Sequence, residues 1–125
     1  MTDYKIYIDN ILIGTTKLES ADPPMGVVFG TINPILKFDY VTLKELCKTK
    51  AIKIETDYAE DQYLSTISSE VVRVVNSQQI EINGMGNQIS GSDQYGYEIS
   101  ILGIAYPFYE EEFPHHVKEY KSRVK

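Results

Sequence analysis

Cys47, His115 and His116 are the side chains of this sequence best suited to nucleophilic or metal chemistry, and their spacing argues against both. Neighbouring residues on a helix point about 100° apart, so His115 and His116 cannot readily converge on one metal. One cysteine and one adjacent histidine pair do not supply the four well-spaced ligands of a structural zinc site, and no metal is expected. Glu111 or Glu112 could complete a site with one histidine. The simpler reading makes both histidines solvent-facing first-turn residues beside a glutamate cluster. Cys47 shares helical spacing with Leu43 and Leu46, which predicts a small buried residue rather than a nucleophile. Gly84-Met85-Gly86 begins like a dinucleotide fingerprint, but Ile89 replaces the third glycine and no helix pattern follows, so no nucleotide cofactor is expected.

Carboxylates are abundant, and paired carboxylates can cleave glycosidic bonds. No pair here is set apart by an apolar pattern, so no catalytic residue is assigned. Their distribution is more informative. Between Asp57 and Glu112 lie the acids Asp57, Glu60, Asp61, Glu70, Glu81, Asp93, Glu98, Glu110, Glu111 and Glu112 against one base, Arg73. Ten minus one makes the stretch −9 and leaves the remainder at +3, for a chain total of −6. Six of the ten tyrosines fall in the same stretch, including Tyr58, Tyr63, Tyr95 and Tyr109. Tyrosine offers an apolar body with a polar tip and is enriched at protein interfaces, while one sign of charge speeds encounter with the opposite sign. Glu60, Asp61, Glu110, Glu111 and Glu112, with Tyr58, Tyr63 and Tyr109 as contact area, are therefore the candidate partner-binding residues, expected to converge on one surface.

Net charge of −6 and a sequence pI near 4.8 oppose binding to nucleic acid, which depends on basic side chains displacing counterions. The longest apolar runs, such as Ile101 to Ala105, are far too short to cross a bilayer. No signal-peptide pattern opens the chain, and a lone cysteine does not suggest an oxidising compartment, so the expected address is the cytoplasm. In size, charge and lack of a catalytic signature, the chain is similar to small acidic proteins that neutralise a basic nuclease, such as bacterial toxin immunity proteins. That resemblance implies a non-enzymatic inhibitor with a basic protein partner. The alternative is a small hydrolase or lyase working through carboxylates and one of the histidines.

These side chains need a scaffold, and 125 residues suffice for one domain with its own core. Tyr4 to Ile8 and Ile11 to Thr15 flank Asp9-Asn10, which predicts a β-hairpin with Ile8 facing Ile11 and Ile6 facing Ile13. Two prolines make 21–26 a loop, and 26–32 reads as a strand. Thr42 and Glu45 match a capping box, with Val41 and Leu46 as its staple, opening a helix from Leu43 to about Lys50. A strand over 51–55 follows. A second hairpin places Arg73 opposite Glu81 around a loop of Asn76, Ser77 and Gln78. The segment from Asn83 to Gly96, with four glycines, reads as a long loop, and Tyr97 to Ile104 as a strand. Pro114 opens a C-terminal helix with Phe113, Val117, Tyr120 and Val124 as its apolar stripe. Glu110 to Glu112 precede it, and Lys118, Lys121, Arg123 and Lys125 crowd its end, both favourable to the helix dipole. The predicted class is α+β: a largely antiparallel sheet of about five to seven strands with one short central helix and a C-terminal helix.

Overall fold

Alternating isoleucines pair the first two strands as expected, with one local departure. The computed structural model describes residues 3–124, and in it β1 (Tyr4–Ile8) lies antiparallel to β2 (Ile11–Thr16). Asp9 adopts the positive φ of 57° that the tight turn demands. Ile8 faces Ile11, but a bulge beyond Tyr7 and Leu12 puts Gly14, not Ile13, opposite Ile6. The bulge turns Ile13 fully into the core. Gly14 meanwhile lies so close to the next strand that a Cβ would stand 2.5 Å from the Asn33 carbonyl oxygen.

The two prolines follow a short edge strand, β3 (Ser20–Asp22), and sit in a 3-10 turn over Pro23–Met25, so only part of 21–26 is loop. Then come β4 (Val27–Thr31) and β5 (Asn33–Pro34). The central helix, α1 (Tyr40–Thr49), starts three residues before the expected Leu43. Asp39 caps it, its carboxylate accepting the Thr42 N–H at 2.8 Å, so Thr42 sits inside the first turn and not at the cap. Val41 is consequently exposed and forms no staple, whereas Leu43 and Cys47 are buried as predicted.

The strand after this helix runs later than expected, as β6 (Ile54–Tyr58), and pairs with β7 (Tyr63–Thr66). In the second hairpin β8 (Val72–Val75) bridges Val75 to Glu81, so the loop is Ser77, Gln78 and Gln79, one residue later. Gln79 takes a positive φ of 67°, and the Asn76 side-chain oxygen accepts the N–H groups of Gln78 and Ile80. The two-residue change of register keeps each side chain on its face, and Arg73 still pairs with Glu81 at 3.1 Å.

The largest departure is at 83–96. Gly86–Ser92 forms β9, a central strand flanked by β7 and by β10 (Gly96–Leu102). A short helix, α2 (Phe108–Glu112), precedes α3 (Pro114–Arg123), so Glu110 to Glu112 are helical rather than a free lead-in. Phe113 and Val117 are buried and Tyr120 is half-buried, while Val124 is exposed and Lys125 lies outside the described residues.

The architecture is α+β with antiparallel pairing, and the strands divide into two sheets. One has the order β5-β2-β1-β8 and the other β3-β4-β10-β9-β7-β6. Residues of both sheets and all three helices form one buried cluster that includes Ile6, Leu43, Ile89, Ile99 and Phe113. Among the described residues no helix is long and apolar enough to cross a membrane.

Candidate functional site

Tyr58, Glu60, Asp61 and Tyr63 come together at the tip of the β6–β7 hairpin. Tyr58 and Tyr63 are directly cross-strand, with ring centroids 6.0 Å apart and planes 32° apart. Between them Ala59–Asp61 makes a 3-10 turn that Gln62 closes in the left-handed conformation. The Gln62 carbonyl accepts the Asp93 N–H at 3.3 Å, tying this tip to the β9–β10 turn.

Asp93 anchors the second tip. One oxygen of its carboxylate accepts from the Tyr40 N–H at 2.8 Å and from the Tyr97 hydroxyl at 2.9 Å, which fixes the turn against the start of α1. Burial, reinforced by the Asp93 bond, pushes the Tyr97 hydroxyl pKa far up, so it remains a donor. The Tyr95 N–H donates to Ser92 Oγ at 3.1 Å. Between the tips lies a groove of about 410 Å³ lined by Tyr58, Asp61, Tyr63, Ser92, Gln94 and Tyr95. Tyr58 is 60% exposed and Tyr95 85%, large aromatic surfaces for a solvated position. Tyr95, one of the six tyrosines of the acidic stretch, lies outside the expected contact set of Tyr58, Tyr63 and Tyr109. The signal available was Ser92 to Gly96, a polar turn ended by glycine, which is hairpin chemistry.

Asp57, next to Tyr58 in the same hairpin and paired with Leu64, is not a free charge. The Tyr40 hydroxyl donates to one of its oxygens, and Lys44 Nζ lies 2.9 Å from the other. The hydroxyl bond first and the lysine second hold the Asp57 carboxyl below the usual range, and Asp57 first, with the Tyr40 hydroxyl second, raises Lys44. A carboxylate depressed in the folded state contributes stability above its unfolded pKa of about 3.9, and loses it as pH falls through the folded value. Asp57→Asn should therefore lower the urea midpoint at pH 7, with the gap from wild type closing at more acidic pH. A gap that stays constant into strong acid would show that the loss has another source.

Tyr109 and Glu110 to Glu112 lie elsewhere. Tyr109 follows the end of β10 at Leu102, and its hydroxyl donates to the Val27 carbonyl at 2.9 Å. Tyr63 instead aligns with Ser92, opposite Gly96 at the other end of β10, and β6 is four strands from β4. The sheet therefore separates the two acidic groups along its length and across its width, and the expected convergence does not occur. Tyr109 is fully buried, a core residue rather than contact area. Glu112 is half-buried and accepts from the Tyr4 hydroxyl at 2.9 Å and from Asn76 Nδ2 at 3.1 Å, which joins α2 to the four-stranded sheet. Glu110 and Glu111 are exposed, and Glu110 lies 3.9 Å from Lys121.

The remaining reactive side chains have structural surroundings. His116, expected in solvent, is buried with Nε2 2.8 Å from the Leu18 carbonyl, so that nitrogen carries a proton and donates. His115 is exposed as predicted. Burial pushes the Cys47 thiol up to about 11, which keeps it protonated near neutral pH. A cavity of about 490 Å³ beside α1 is lined by Tyr40, Lys44, Cys47 and Ile52 among others, and its Lys44 is already paired with Asp57. Among the described residues no group of three or more His, Cys, Asp and Glu is placed to hold a metal. Comparison with protein families, curated proteins and solved structures gives no match for this chain.

Proposed function

We propose that this is a non-enzymatic binding protein that engages a basic protein partner through its two hairpin tips, as an inhibitor or immunity-type protein does. The observation that carries the reading is the exposure of Tyr58 and Tyr95 beside Glu60 and Asp61, which form no ion pair among the described residues. Exposed aromatic anchors with unneutralised acids match a basic contact surface in both packing and charge. A reduced, buried Cys47 suits a cytoplasmic protein. The small hydrolase or lyase reading has less support, since buried His116 is engaged by the Leu18 carbonyl and the carboxylates of Asp57 and Glu112 are committed to Tyr40 with Lys44 and to Tyr4 with Asn76.

The test is capture of partners from native lysate at low and high salt, then kinetics with the recovered basic protein. Exposed charges act over a Debye length of about 8 Å at physiological salt, so Glu60→Lys with Asp61→Lys should slow association about tenfold at low salt. Tyr95→Ala should speed dissociation instead, because packed anchors hold a formed complex. The pair Glu110→Lys and Glu111→Lys, on α2 and away from both hairpin tips, should change neither rate by more than about twofold. Unchanged association for the Glu60 and Asp61 reversal would remove the proposal.

A further inference from the structure

The groove between the tips has the make-up of a site for one cation. Three of its six lining residues are Tyr58, Tyr63 and Tyr95, its charged member is Asp61, and no lining residue is basic. Aromatic faces attract a cation through the ring quadrupole, and a carboxylate supplies the opposite charge. The Asp93 anchor and the Gln62 to Asp93 bond hold both tips in place before anything binds, which lowers the ordering cost of occupation. At about 410 Å³ the space is of small-molecule scale, larger than a water site and too small for a folded element.

We infer that this groove receives a single arginine side chain of the basic partner, its guanidinium against the Asp61 carboxylate and its flat face on the tyrosines, an assignment that rests on the proposed function. Arginine fits better than lysine for three reasons. Its planar guanidinium stacks on aromatic rings, pairs with a carboxylate through two parallel N–H groups, and sheds water more readily than an ammonium. Gln94 and Ser92 add neutral polar groups at the wall for the remaining donors. The groove thereby gives the acidic surface a point of selectivity that net charge alone lacks.

The experiment titrates the full chain with N-acetyl-arginine amide, its lysine counterpart and its uncharged citrulline counterpart, and follows the tyrosine ring resonances by NMR. Saturable shifts at Tyr58, Tyr63 and Tyr95 are expected with the arginine probe, with none from citrulline and weaker ones from lysine. Asp61→Asn should weaken arginine binding about tenfold, the size of one charge-assisted contact. Unperturbed ring shifts before titration confirm that the variant is folded. Equal responses to arginine and citrulline, a lysine probe binding as tightly, or no saturable shift at the three rings would each overturn the inference. Arginine failure with a charge reversal that still slows the partner would mean distributed charge and not a groove, and would leave the proposed function standing. An unaffected partner with a positive arginine titration would remove the proposed function and keep the site.

Discussion

Phe113→Ala is expected to cost about 3–5 kcal/mol of stability, the range for emptying a fully buried aromatic position. Phe113 has no exposed surface and packs against three rings, those of Tyr4 at 5.8 Å, Tyr109 at 5.4 Å and His116 at 6.0 Å between centroids. It therefore joins β1, α2 and α3, and the cavity left by truncation cannot close without moving one of them. That loss is a large share of the roughly 5–15 kcal/mol that holds a typical domain together. Val124→Ala is the control. Its residue belongs to the same sequence stripe but is 60% exposed, and the change should stay within about 0.5 kcal/mol. Denaturant unfolding of both variants gives the answer, and a cost below about 1 kcal/mol for Phe113 would contradict the packing described.

Gly91→Ala should be comparably damaging for a different reason. Gly91 has φ of +149°, and a Cβ there would stand 2.2 Å from the Gly96 carbonyl oxygen and 2.6 Å from Tyr97 Cα. The conformation alone costs an ordinary residue about 1–3 kcal/mol, and both clashing atoms are backbone of the paired strand, which cannot swing aside. The β9–β10 ladder has to open locally, so a total loss above about 3 kcal/mol is expected, together with early exchange of the amides of both strands. Because this hairpin carries Tyr95, the variant should also lose the arginine-dependent ring shifts, whereas Tyr95→Ala should leave stability within about 0.5 kcal/mol. Gly91→Ala unfolding at the wild-type denaturant midpoint would mean that the two strands do not approach as described.

Residues whose environment is set by near neighbours were legible. The β1–β2 hairpin follows from alternating isoleucines around Asp9-Asn10, because strand side chains alternate faces with period two and a slipped register would put isoleucine in water. The burial of Cys47 follows from its helical spacing with Leu43 in the same way. At the helix start two local signals competed, and Asp39 won over Thr42 as the cap. Choosing between them takes the path of the chain from β5, which is not a local property.

The candidate site was half legible. Tyr58, Glu60, Asp61 and Tyr63 are consecutive enough to share one hairpin tip wherever that hairpin goes. Tyr95 joins them only because β9 and β10 pair, and β9 has glycines where a strand usually has bulk. Gly86 and Gly91 are small because Ser68 and the Gly96 backbone occupy the space a side chain would need, a requirement created by other parts of the fold. Glu112 and Tyr109 show the opposite case. Their types belong on an acidic surface, yet a long-range bond to Val27 goes with the full burial of Tyr109, and Tyr4 and Asn76 hold Glu112 half-buried.

The sequence by itself determined the α+β class, the first hairpin, the burial of Leu43, Cys47, Phe113 and Val117 and the acidic, tyrosine-bearing character of the second half, since each depends on residue type and spacing along the chain. Only the tertiary structure decided which acids meet which tyrosines. Antiparallel pairing in the order β4-β10-β9-β7-β6 sets the Glu60 and Asp61 tip at one corner of a sheet and delivers Glu110 to Glu112 on α2, held by Tyr109 to β4, while the Asp93 N–H bond to the Gln62 carbonyl draws two separate hairpin tips together. Charge is additive along a chain, but a binding surface depends on distances that strand order sets.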